Sequence, residues 1–169
     1  TLVAALAQLH RVDVAAAGLG ELGRPEGYLP RQLGRWTKQW ELTKTRDLPA
    51  MDDLRRRIEE ALAPLPTDLP WSLVHGDYRL DNVILAPIGP EVRAVLDWEM
   101  STLGDPLADL ALTLVYWTEE TDRLRHRVPV ADHLTDAAGF WGRARIIESY
   151  ADASGRAMAS YNSALLVSR

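Results

Sequence analysis

The sequence predicts an α+β chain, mainly helical, whose short β-rich middle carries a polar loop. Two observations predict it. Apolar residues recur at helical spacing on both sides of the middle, whereas residues 71–99 hold three short β-branched runs instead. Between the first two runs, the loop HGDYRLDN (residues 75–82) concentrates one His, two Asp and one Asn.

The elements follow in order. Leu2, Leu6 and Leu9 predict a helix within residues 1–12, and residues 14–27 form a Gly-rich connector. Leu29, Leu33, Trp36 and Trp40 make the stripe of a second amphipathic helix. Met51, Leu54, Ile58 and Leu62 repeat it in a third, stopped by Pro64 and Pro66, with Arg55, Arg56 and Arg57 on a solvated face. WSLVHGD, NVILA and VRAVLDW read as strands, the last two joined by a PIGPE turn. Asp105-Pro106 opens the next helix, because Asp is a good N-cap and Pro is favoured at the first helical position. Leu107, Leu110, Ala111, Leu114 and Val115 give it a broad apolar stripe central to the core. Residues 119–138 are charged and irregular. Ile146, Ile147 and Tyr150 predict a helix stopped near Gly155, and MASYNSALLVSR reads as a final helix. The expected organisation is a helical part at 1–68, a loop and hairpin at 71–99, and core and C-terminal helices at 105–169.

Composition narrows the function classes. The 169 residues suffice for one domain, or for one half of a two-lobed unit. A net charge of −5 argues against nucleic acid as partner. Without cysteine there is neither a disulfide framework nor a thiolate metal site. TLVAALAQLH lacks the basic start of a signal peptide, and no run nears the roughly 18 apolar residues that span a bilayer. A soluble cytoplasmic protein is expected.

The polar loop carries the chemistry. Asp77 is followed five residues later by Asn82, and a strand-turn-strand later by Asp97. This is the order and spacing of a kinase catalytic loop, H-x-D, four residues, Asn, then a metal-binding Asp. Any one of these residues alone is more often a turn residue. Their joint pattern between strands, with the Asp-Pro helix after it, points to phosphoryl transfer, and the hairpin should fold Asp97 back towards Asn82.

On LVHGDYRLDNVILAP, AVLDWEMSTLGDPLADLA and GRPEGYLPRQLGRWTKQWE, the chain resembles the aminoglycoside phosphotransferase (APH) superfamily of small-molecule kinases. The third motif resembles the branch associated with acyl-CoA dehydrogenases. The resemblance implies a protein-kinase-like large lobe, with ATP and Mg2+ as cofactors and a small-molecule hydroxyl as substrate. It implies that Asp77 engages that hydroxyl and that Asn82 and Asp97 hold magnesium on ATP. His75 would pack the loop, Arg79 would meet the transferring phosphate, and Asp109 would accept hydrogen bonds from the loop backbone. Trp98 and Glu99 stand where protein kinases carry Phe-Gly, so no protein-kinase style switch follows.

A kinase also needs a Gly-rich loop, a strand lysine and a helix glutamate to grip nucleotide. Gly18-x-Gly20-x-x-Gly23, Lys38 and Glu59 offer a weak version. Arg24-Pro25 follows where a strand should run, and Lys38 lies in a helical pattern. An inter-helix connector is the better reading. The N-terminal nucleotide-binding lobe is therefore expected to be absent from this chain, the chain alone inactive, and the face left uncovered prone to self-association. Two rival readings remain: a metal-dependent hydrolase using His75, Asp77 and Asp97, and a non-catalytic pseudokinase-like module. His10, His126 and His133 fall in no metal-ligand spacing, against the first. The family's acceptors include aminoglycosides, choline, homoserine, sugars and hydroxyacyl compounds. Glu119, Glu120 and Asp122 suit a cationic acceptor, and Arg123, Arg125 and Arg127 suit coenzyme A phosphates; the sequence does not choose between them.

Overall fold

The computed structural model describes residues 1–66, 68–122 and 134–156. Three of the stripes read from the sequence converge on one core. Helix α1 (Leu2–Leu9), helix α4 (Pro106–Tyr116) and helix α5 (Arg143–Ser154) bury Leu2, Val3, Leu6, Leu107, Leu110, Leu114, Ile146 and Tyr150 against one another. Burying a leucine or isoleucine fully contributes roughly 1.5–3 kcal/mol, so this cluster dominates the stability of the chain. The expected caps are present. Asp105 Oδ1 accepts from Leu107 N at 2.9 Å with Pro106 at the first helical position. Gly155, at φ 69°, ends α5 in the left-handed conformation that favours glycine.

Helices α2 (Tyr28–Thr43) and α3 (Pro49–Leu62) pack against each other, but no residue of either is fully buried. Trp36, Trp40, Met51, Leu54 and Ile58 line the groove between them. The amphipathic stripes therefore face each other across a thin seam, not the main core. Arg56 bridges Asp53 at 2.5 Å and Glu60 at 2.8 Å on the outer face of α3, a solvated ion-pair ladder.

The strands depart from the expected arrangement. Strand β1 (Ser72–Val74) pairs antiparallel with β4 (Thr102–Gly104), and β2 (Val83–Leu85) pairs antiparallel with β3 (Val92–Val95). The polar loop thus joins two small sheets and does not belong to the hairpin, which is β2–β3 alone. Strand β4 was not legible, since three residues after a one-turn helix show no periodicity. Leu73 and Leu103 of the first sheet form a second apolar cluster with Val14 of the connector. Ile84, Leu85, Ile88, Leu96 and Trp98 leave apolar surface exposed around the hairpin.

The Gly18–Gly23 stretch is an irregular connector. A Cβ at Gly23 would fall 2.1 Å from Thr102 Oγ1, so that glycine is demanded by packing on β4. Lys38 lies on α2, and Glu59 on α3 pairs with Arg55 at 3.7 Å. No helix among the described residues is long and apolar enough to cross a membrane. The proposed C-terminal helix at 158–169 and Arg123, Arg125 and Arg127 lie outside the described residues.

Arg143 ties the start of α5 to the end of α4. Its guanidinium holds Asp122 through bonds of 2.8 and 2.5 Å, its Nε donates to Leu114 O at 3.1 Å, and its N–H donates to Glu119 Oε1 at 2.6 Å. Glu119 and Asp122 are thus engaged internally and not held ready for a cationic acceptor. The Arg143 guanidinium beside Asp122 holds its carboxyl below the ordinary 3.8. A depressed folded pKa means that the stabilisation is complete above the ordinary value and is lost as pH falls through the lower folded one. Asp122→Asn should therefore lower stability by about 1 kcal/mol at pH 6 and by less as the pH approaches 3, read as urea midpoints at each pH. A deficit that does not shrink on acidification would refute this.

Candidate active site

The loop leaving β1 is built from alternating anchors and outward groups. His75 and Tyr78 are fully buried. Tyr78 donates from its hydroxyl to Leu2 O at 2.9 Å, and its carbonyl accepts from Thr113 Oγ1 at 2.7 Å. Burial and the nearby Asp109 charge push the Tyr78 phenol well above its ordinary value, so it stays a donor. Gly76 sits at φ 86°, and a Cβ there would lie 2.5 Å from Met100 O. Only glycine lets the chain turn this close to the segment after Asp97.

Both nitrogens of His75 are occupied. Nε2 bonds Leu96 O at 2.8 Å, and Nδ1 accepts from Asp77 N at 3.2 Å. Nδ1 is therefore the acceptor and Nε2 the protonated nitrogen. This imidazole splices the loop to the end of the hairpin and has no lone pair left for a metal, which removes the ligand that the hydrolase reading needs.

Asp109, buried on α4, lies beneath the loop. Its Oδ2 accepts from His75 N at 2.6 Å and its Oδ1 from Gly76 N at 2.8 Å. His10 Nε2 adds a contact to Oδ2 at 3.2 Å, and His10 Nδ1 meets Tyr150 Oη at 2.8 Å. The Asp109 carboxylate oxygen accepts, so His10 Nε2 carries the proton that faces it, while Nδ1 meets the hydroxyl of Tyr150, whose phenol burial pushes up to about 12. Sequence reasoning missed His10 and Tyr150 because their partners lie 99 and 140 residues away.

Asp77 and Asn82 are brought together directly. Asn82 Nδ2 donates to Asp77 O at 2.8 Å and to Asp77 Oδ2 at 3.0 Å. With both amide hydrogens used, Asn82 Oδ1 is the remaining acceptor. Asn82 O in turn accepts from Leu96 N at 2.8 Å, so the hairpin delivers Asp97 next to the loop. Asp97 adopts φ 65°, ψ 60°, the only left-handed non-glycine among the described residues. Such strain persists where surrounding structure over-determines it, and clusters at functional sites.

Arg79 lies across the site mouth. Its Nε is 3.3 Å from Asp77 Oδ2 without the alignment of a hydrogen bond, and its Nη1 is 3.4 Å from Asp81. The guanidinium stands 5.0 Å from the Tyr116 ring centroid, which supports it from below. The loop presents the Asp77 carboxylate, the Asn82 amide oxygen and the Arg79 guanidinium, and the Leu96 N–H bond to Asn82 O brings the Asp97 backbone alongside. That donor set suits an oxygen-binding hard cation and an anionic group beside it.

A family model described as "Phosphotransferase enzyme family" (APH) matches residues 1–161. Acyl-CoA dehydrogenase family member 10 of Mus musculus is 47% identical over 113 residues, covering 66% of this chain and 10% of that protein. Acyl-CoA dehydrogenase family member 11 of Homo sapiens is 42% identical over 120 residues, 70% of this chain and 15% of that protein. A crystal structure from Ralstonia eutropha JMP134, assigned to the aminoglycoside phosphotransferases, superposes with a TM-score of 0.81 at 38% identity. That match covers 99% of this chain and 50% of the other. Macrolide 2'-phosphotransferase type I shares the fold at a TM-score of 0.62 and 19% identity, over 98% of this chain and 48% of the other. The chain thus spans about half the length of these solved structures and a small part of the dehydrogenase relatives.

Proposed function

Because this chain belongs to the APH phosphotransferase enzyme family, we propose that it is the catalytic-loop lobe of a kinase moving the γ-phosphoryl of ATP to a hydroxyl of a small molecule. The observation that carries this reading is the Asp77–Asn82 bond of 3.0 Å, on a loop whose backbone is clamped by Asp109.

The roles follow from chemistry at named atoms. Asp77, partly exposed, accepts the acceptor hydroxyl and orients it for attack. Asn82 Oδ1 and the Asp97 carboxylate are the groups that would hold magnesium. Magnesium typically takes one or two protein oxygens and completes its shell from phosphates and water, so this small set fits it. Bound Mg-ATP supplies the transferable phosphoryl group and neutralises its charge. Arg79 would meet that phosphate, supplying a fixed positive charge beside Asp77. His75, Asp109, His10 and Tyr150 act only by holding the loop.

The acceptor is a neutral or charged small molecule reaching the open side of Asp77. Residues 18–23 form an irregular connector and Lys38 lies on α2, which supports the reading that nucleotide is gripped by a separate N-terminal lobe. The rival module without chemistry is disfavoured by retention of Asp77, Asn82 and Asp97 in one frame. The test is phosphate transfer from labelled ATP to a panel of hydroxylated small molecules, with magnesium varied. Transfer should need magnesium, should fall at least a hundredfold in Asp97→Asn, and should be carried by a protein extended towards the N-terminus but not by the 169 residues alone. Magnesium-independent transfer, or equal turnover by the short chain, would sink this assignment.

A further inference from the structure

Helix α4 carries Asp109, Thr113 and Tyr116 at i, i+4 and i+7, which puts them on one face. Each meets a successive part of the polar loop. Asp109 accepts from His75 N and Gly76 N, and Thr113 Oγ1 donates to Tyr78 O. The Tyr116 ring lies 5.0 Å from the Arg79 guanidinium, measured to its centroid. The first two contacts fix backbone. The third fixes a side chain, and that side chain stands over Asp77.

Little else holds Arg79. Its Nε is buried and has no hydrogen-bond partner, although Asp77 Oδ2 lies 3.3 Å away. Its Nη1 stands 3.4 Å from Asp81, a carboxylate more than half exposed, where such pairs contribute little. An arginine side chain has several rotatable bonds, and ordering it costs entropy that these two contacts do not offset. Without a wall it is free to close on Asp77 Oδ2 as a full ion pair, which masks the carboxylate that receives the acceptor. The Tyr116 ring supplies that wall. A ring face attracts a guanidinium without competing as an oxygen acceptor, so the N–H donors stay available to an anion.

We propose that Tyr116 is a positioning residue for Arg79: its ring holds the guanidinium over the loop, off a closed ion pair with Asp77, where it meets the phosphoryl group in transfer. What Arg79 does there rests on the phosphoryl-transfer reading; that Tyr116 places it does not. Helix α4 is then a template for the loop, with the backbone set by Asp109 and Thr113 and the arginine set by Tyr116.

The test is a double-mutant cycle of Tyr116→Leu with Arg79→Met in the nucleotide-competent protein. Tyr116→Leu should lower kcat by about five- to thirtyfold, the change expected for losing a partly desolvated guanidinium–ring contact. KM for ATP should move by no more than about twofold. Tyr116→Phe keeps the ring and should recover most of the loss. In the Arg79→Met background, Tyr116→Leu should cost nothing further, a non-additivity that general loosening of α4 does not produce. NMR gives a readout independent of turnover. The ring current of Tyr116 should displace the Arg79 side-chain proton resonances; Tyr116→Leu should abolish that displacement and Tyr116→Phe should retain it. A parent that transfers no phosphate would sink the phosphoryl-transfer reading, and these resonances would still decide whether Tyr116 places Arg79. Resonances unmoved by Tyr116→Leu, an unchanged kcat in an active protein, or an equal fall with and without Arg79 would overturn the proposal.

Discussion

Asp77→Asn should lower kcat of the nucleotide-competent protein by roughly 10²–10⁴-fold, with KM for ATP and the melting temperature little changed. The expectation rests on how little of the fold depends on this carboxylate. The loop at Asp77 is held through its backbone: its N–H bonds His75 Nδ1 and its carbonyl accepts from Asn82. Asparagine keeps the volume and one acceptor oxygen for Asn82 Nδ2. What it loses is the negative charge to which the proposed mechanism assigns orientation of an incoming hydroxyl. Catalysis therefore suffers while ground-state binding does not, the pattern of an interaction made in the transition state. Steady-state rates with thermal denaturation on the same samples check it. Activity within tenfold of the parent would show that another group does this work.

The largest stability effect belongs to Asp109→Ala, which should lose about 3–5 kcal/mol. Three donors would be stranded at once: His75 N, Gly76 N and His10 Nε2. Each buried donor without a partner costs roughly 1–3 kcal/mol, and the loss is partly shared because the loop can relax. Against a total of about 5–15 kcal/mol for a folded domain, such a change leaves little in reserve. Urea unfolding gives the number directly. Asp109→Asn retains one acceptor oxygen and should fall between alanine and the parent. A midpoint for the alanine variant within experimental error of the parent would mean that the clamp is not stabilising.

Much of this molecule was readable along the chain because the relevant physics is local. The stripes of α1, α4 and α5, the Asp105-Pro106 start and the Gly155 stop depend on residues within a few positions of each other. The Asp77, Asn82 and Asp97 series is likewise a matter of spacing between strand ends. Periodicity shows that a helix has an apolar face but not what that face meets. The stripes of α2 and α3 are real, yet along most of their length they face each other and not the main core, which no count of residues could reveal. Strand β4 is too short to carry a pattern and exists because β1 needs a partner for its backbone groups. The clamp from Tyr150 through His10 to Asp109 joins three helices from separate parts of the chain, and only folding brings them within hydrogen-bond reach. The left-handed backbone of Asp97 is also a tertiary decision. An aspartate does not choose it alone, and here it follows a residue tied at both ends, Leu96 N to Asn82 and Leu96 O to His75.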